Sequence, residues 1–171
     1  MRSVISGVVA ALALGAAAPG HAAEHIECIA QRLTPEALQA IFEEFDRNSA
    51  PPAVLSDAVA GCVVVYGWPP AAANDAYRYG NALAFAHGLR SHPSLTAAVR
   101  ASVMRISERI DDATGRGWVA NGVHGDDMAR LAALFTAEGL NPHDQQQAPA
   151  AATLLFAVQL RKFSLIDFAA H

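Results

Sequence analysis

Lysine is nearly missing from this chain: Lys162 stands alone against eleven arginines. Charged residues of both signs make up only 16% of the sequence, and acids outnumber bases sixteen to twelve. A surface that meets nucleic-acid phosphates needs clustered cations, so the balance argues against nucleic acid as a partner. Cysteine is as scarce. Cys28 and Cys62 are the whole supply, and neither lies in a C-x-x-C pair or beside a basic residue that would activate a thiolate. The absence of C-x-x-C-H excludes covalently attached c-type haem. Also missing are the Gly-Lys-Ser/Thr of a P-loop, the H-E-x-x-H and E-x-x-H metal signatures, and the G-x-S-x-G of a hydrolase nucleophile. No alternating apolar pattern with turn punctuation occurs either. Val63 to Tyr66 has strand propensity, but an isolated strand has nothing to pair with.

The amino terminus is the most readable stretch. Arg2 is followed by an apolar run from Val4 to Ala18, a Pro19-Gly20 break, and small residues up to Ala23. That order of charge, apolar run and small residues is a secretory signal peptide, with cleavage expected near Ala22 or Ala23. The run falls short of the roughly 20 residues that span a bilayer. Glu27 precedes Cys28 where a lipoprotein signal carries a small residue, which argues against a lipid anchor. Removal of 23 of the 171 residues leaves 148, enough for one domain with one core, and takes the formal charge from −4 to −5. Export places the protein in the periplasm or outside a bacterial cell, where two cysteines most simply pair. The expected bridge is Cys28–Cys62.

Residues 24–171 read as a single all-α, bundle-like domain of about six or seven helices. Thr34, Pro35 and Glu36 form a helix start, with Leu38, Ile41, Phe42 and Phe45 on one stripe. The apolar run from Pro52 to Trp68 is read as the buried centre, because it is apolar all round. Asn74 is read as the cap of the next helix, in which Ala76, Gly80 and Ala84 recur every four residues and allow close backbone approach. Leu95 to Ala113 is the most regular amphipathic segment. A helix then starts near Asp126 and stops at Gly139, and a last one runs from about Gln147 to Phe168. Past the leader, no stretch is read as long and apolar enough to cross a membrane.

Three places hold residues of chemical interest. The glycine-rich stretch Thr114 to Asp127, read as a loop, gathers Trp118, Asn121, His124, Asp126 and Asp127. A histidine beside two carboxylates has the groups for acid–base work or metal binding, and Trp118 and Asn121 are the candidates for holding a cofactor. The plainer reading makes the two aspartates first-turn residues of the next helix. Phe42 to Asn48 resembles the start of an EF-hand calcium loop, with Asp46, Asn48 and Asp57 at the first, third and last ligand positions. Ala50, Pro51 and Ala53 break that pattern, which favours a helix end and a proline turn. Tyr66, Trp68, Tyr77 and Tyr79 bracket Pro69-Pro70 and line either a groove or the core.

The function expected from this is a non-enzymatic binding or interaction module. It would hold a protein partner or a small apolar ligand between helices, and no cofactor is expected. The alternatives are a small metal-assisted or acid–base enzyme centred on the 114–127 stretch, and a thiol–disulfide redox-responsive protein.

Overall fold

The structure is a computed structural model that describes residues 25–46 and 53–171. The leader, Asn48 and the Pro51-Pro52 turn lie outside the described residues. The described residues form an all-α bundle of eight helices: α1 Glu27–Arg32, α2 Pro35–Asp46, α3 Ala53–Tyr66, α4 Pro70–Gly88, α5 Ala97–Arg109, α6 Asp112–Asn121, α7 Asp126–Ala137 and α8 Gln147–Phe168.

The helix beyond the expected count is α6, and it corrects the loop reading of 114–127. Asp111 caps it by accepting the Thr114 N–H at 2.9 Å. One of its glycines, Gly115, serves packing. A side chain at Gly115 would stand 2.8 Å from Gln159 Oε1 and 2.9 Å from the Phe163 ring, so α6 and α8 meet only because Gly115 has none. Only Gly122 to Gly125 remain as a turn, with Gly122 and Gly125 at positive φ.

Other boundaries moved for local reasons. Pro70 occupies the first turn of α4, so that helix starts before Asn74, which lies inside it. Thr96 caps α5, accepting the Val99 N–H at 3.3 Å, so that helix starts at Ala97, after the Leu95 expected from the amphipathic pattern. Thr34 caps α2 as expected, accepting from Ala37 N–H. The four-residue spacing on α4 also does what it promised: Leu55 of α3 and Ile29 of α1 pack into the space left by Gly80.

The centre of the bundle is the pair α4 and α8, not α3. Leu55, Ala58, Val59 and Cys62 of α3 are buried on one stripe, while Val64 is 85% exposed. Uniform apolarity therefore reflected valine and alanine content and not burial on every side. By contrast, α8 buries Leu154, Leu155, Gln159, Leu160, Phe163 and Ser164, packing chiefly on α4 and then on α5 and α6. Its early residues belong to a core with α5, α6 and α7, while Phe168 belongs to a second core with α1, α3 and α4. Gln159 ties α8 to α5 by donating to Ser107 O and Oγ at 3.1 and 3.0 Å.

At 22 residues, with mean hydropathy of 1.2 over its most apolar 18-residue window, α8 has the length and composition to cross a membrane. That corrects the expectation that nothing past the leader does. Half of that window is buried inside the bundle.

Cys28 and Cys62 are bridged, joining the six-residue α1 to α3. An isolated helix of six residues is far below the length that is stable in water. The bridge and the burial of Ile26 and Ile29 hold it in place.

Candidate functional site

A concavity of about 810 Å³ opens where the end of α2, the end of α4 and the start of α8 diverge. Phe85 is its aromatic centre. Three rings meet it edge to face: Phe45 at 4.5 Å, Phe156 at 5.8 Å and Phe42 at 6.1 Å between centroids. Such contacts favour a fixed ring geometry. Phe42 and Phe45 come from the apolar stripe of α2, and Phe42 rests on the bare backbone of Gly88. Phe45 is 56% exposed, so more than half of its surface is left uncovered by the described residues.

The opposite side is polar but not ionic. It is made by the turn from Leu89 to Ser94 and by Gln145, Gln146 and Thr153 at the start of α8. Among the described residues no aspartate, glutamate, lysine or arginine lines the groove. The turn is braced from behind by Arg100, which donates to the carbonyls of Leu89 (2.6 Å), Arg90 (2.8 Å) and Leu95 (2.9 Å). Within the turn, Ser94 N–H donates to His92 Nδ1 at 3.3 Å. In the neutral ring that leaves the proton on Nε2.

A smaller cleft of about 330 Å³ lies between α7 and α8, with Met128, Leu131, Phe135 and Ala148 as its walls. Asp144 stands at its mouth but is already engaged. It accepts the N–H groups of Gln147 and Gln146 at 2.8 and 2.9 Å, and these bonds hold its carboxyl below the usual carboxylate range.

The residues singled out from the sequence do not assemble. Trp118 is buried in the core, while Asn121, His124 and Asp126 face solvent and Asp127 is half-buried. No side-chain hydrogen bond or ion pair joins His124, Asp126 and Asp127; their link is the Asp127 N–H donating to His124 O. The two aspartates sit in the first turn of α7, the plainer of the two readings. Asp57 is exposed on α3; the side chain of Asp46 and all of Asn48 lie outside the described residues. Among the described residues no three His, Cys, Asp or Glu side chains cluster as metal ligands would. Trp68 and Tyr79 are core residues, with Trp68 edge to face on Phe168 at 5.0 Å.

The sequence places Phe42 and Phe45 on a packing stripe, marks residues 90–93 as a helix break, and offers His92 only as one of several scattered histidines that form no metal signature. The available signal was on α2. A stripe ending in phenylalanine directly before a proline turn leaves that ring at the edge of the bundle, where cover is thinnest.

No protein-family model, curated protein or solved structure matches this chain.

Proposed function

We propose that the protein is a non-enzymatic binding module whose groove between α2, α4 and α8 takes up a small, largely apolar ligand. The observation that carries this is the exposed Phe45 ring, held edge to face on Phe85 at the wall of an 810 Å³ concavity. Ligand sites are typically concave, mostly apolar and of roughly 300–1,000 Å³, with a few polar groups that orient the ligand. This groove has that make-up, with aromatic rings on one side and amide, hydroxyl and imidazole groups on the other.

The setting proposed for this activity is an oxidising compartment, the periplasm or the cell exterior. The leader-like residues 1–23 and the cysteine pair support it together. A thiol-based sensing role has less support, because Cys28 and Cys62 are both buried.

Nile red, a neutral apolar dye that brightens in apolar surroundings, tests the reading. Its fluorescence should rise with the wild-type protein. It should stay low with Thr153→Trp, which fills the groove, and with Phe45→Gln, which removes an exposed ring without opening the core. Equal brightening in all three proteins would overturn the reading.

A further inference from the structure

We infer that the ligand of this groove is an apolar acid: a ring-bearing body against Phe45 and Phe85, with a carboxylate received by His92. The inference rests on the groove being the binding site and adds the chemistry of the head group.

Charge is the first support. The turn and the helix behind it, residues 89–100, contain Arg90 and Arg100 and no acid. Arg100 is half-buried and bonded to three carbonyls, with no carboxylate partner among the described residues. A guanidinium partly withdrawn from water and uncompensated by an anion leaves a positive field on the turn in front of it. Among the described residues no carboxylate lines the groove to cancel that field. Of the acids next to lining residues in sequence, Glu43 and Glu44 on α2 do not line the groove, and Asp144 opens into the neighbouring cleft, where the first-turn N–H groups of α8 occupy it.

The second support is donor geometry. His92 lines the groove, and its Nδ1 is taken by the Ser94 N–H. The ring therefore keeps Nε2–H as its free hydrogen-bonding group, a donor that seeks an acceptor. The aromatic wall and this donor lie on different elements, α2 with α4 on one side and the following turn on the other. A ligand reaching both needs an apolar body and an acceptor head at one end. Hydrogen bonds to a charged acceptor are about twice as strong as neutral ones, so an anionic head has the advantage.

The test compares two probes of the same ring size, 2-naphthoate and 2-methylnaphthalene, by chemical-shift titration of the folded protein near neutral pH. Naphthoate should bind about tenfold or more tightly, the ordinary gain for a hydrogen bond to a charged group. The His92→Phe variant should abolish that preference while leaving methylnaphthalene binding intact. His92→Gln, which keeps an N–H donor, should restore part of it. Equal affinity for both probes, or a preference that survives His92→Phe, would overturn the inference while leaving the groove as the site. If neither probe moves the Phe42, Phe45 and Phe85 resonances, the groove reading fails as well.

Discussion

The ring of Phe42 fills the space where a side chain on Gly88 would stand. This contact seats the α2 stripe on α4 and sets the height of the groove's aromatic wall, since Phe42 and Phe45 both reach Phe85. A methyl group at Gly88 must push the ring away. Gly88→Ala should therefore cost about 1–3 kcal/mol despite its better helix propensity, as overpacked sites do. Calorimetric melting is the check. An unchanged or raised Tm would mean that α2 can shift freely.

The Cys28–Cys62 bridge closes a 34-residue interval. Replacing both cysteines by alanine should destabilise the protein by about 3–4 kcal/mol on the loop-entropy account. Denaturant midpoints with and without the bridge give the value. Because both sulfurs are buried, reductant should open the bridge in the native protein only as fast as the protein unfolds. Rapid reduction with the fold intact would revive the redox-responsive alternative.

Acid should weaken the α6 cap. Asp111 accepts the Thr114 N–H and hydroxyl and an Arg130 N–H, which bring its pKa from 3.8 to about 2. A carboxylate depressed in the folded state contributes stability in full above its unfolded value. That contribution is lost as pH falls from about 4 through about 2. Glu138, lowered by its bond to Arg105, acts in the same direction. Urea midpoints measured from pH 5 to pH 2 should fall less steeply for Asp111→Asn than for the wild type. Parallel curves would contradict the assignment.

Alanine at His124, Asp126 and Asp127 should leave probe binding unchanged. The two aspartates stand at the positive end of α7, so the stability cost should be about 0.3–1 kcal/mol for each. Loss of binding or of a catalysed reaction, with the fold intact, would restore the enzyme alternative that the sequence raised.

Much of the fold was legible because local chemistry decided it. The Thr34 cap and the glycine stop after α7 each depend on one residue and its near neighbours. The errors share a cause in tertiary context. Gly115 and Gly117 read as loop residues until Gln159 and Phe163 of a distant helix are seen to press on Gly115. Val64 and Val65 read as core until α3 is seen to leave them uncovered. The groove was hidden for the same reason. Phe42, Phe85, His92 and Gln146 are far apart in sequence and meet only where three helices diverge.

The most direct test of the binding account is a search for intermolecular nuclear Overhauser effects between bound 2-methylnaphthalene and the folded protein. The account predicts contacts from the probe to the rings of Phe45 and Phe85, and to Leu89 and Thr153 across the groove. Contacts confined to Met128 and Phe135 in the α7–α8 cleft, or no contacts at all, would contradict it.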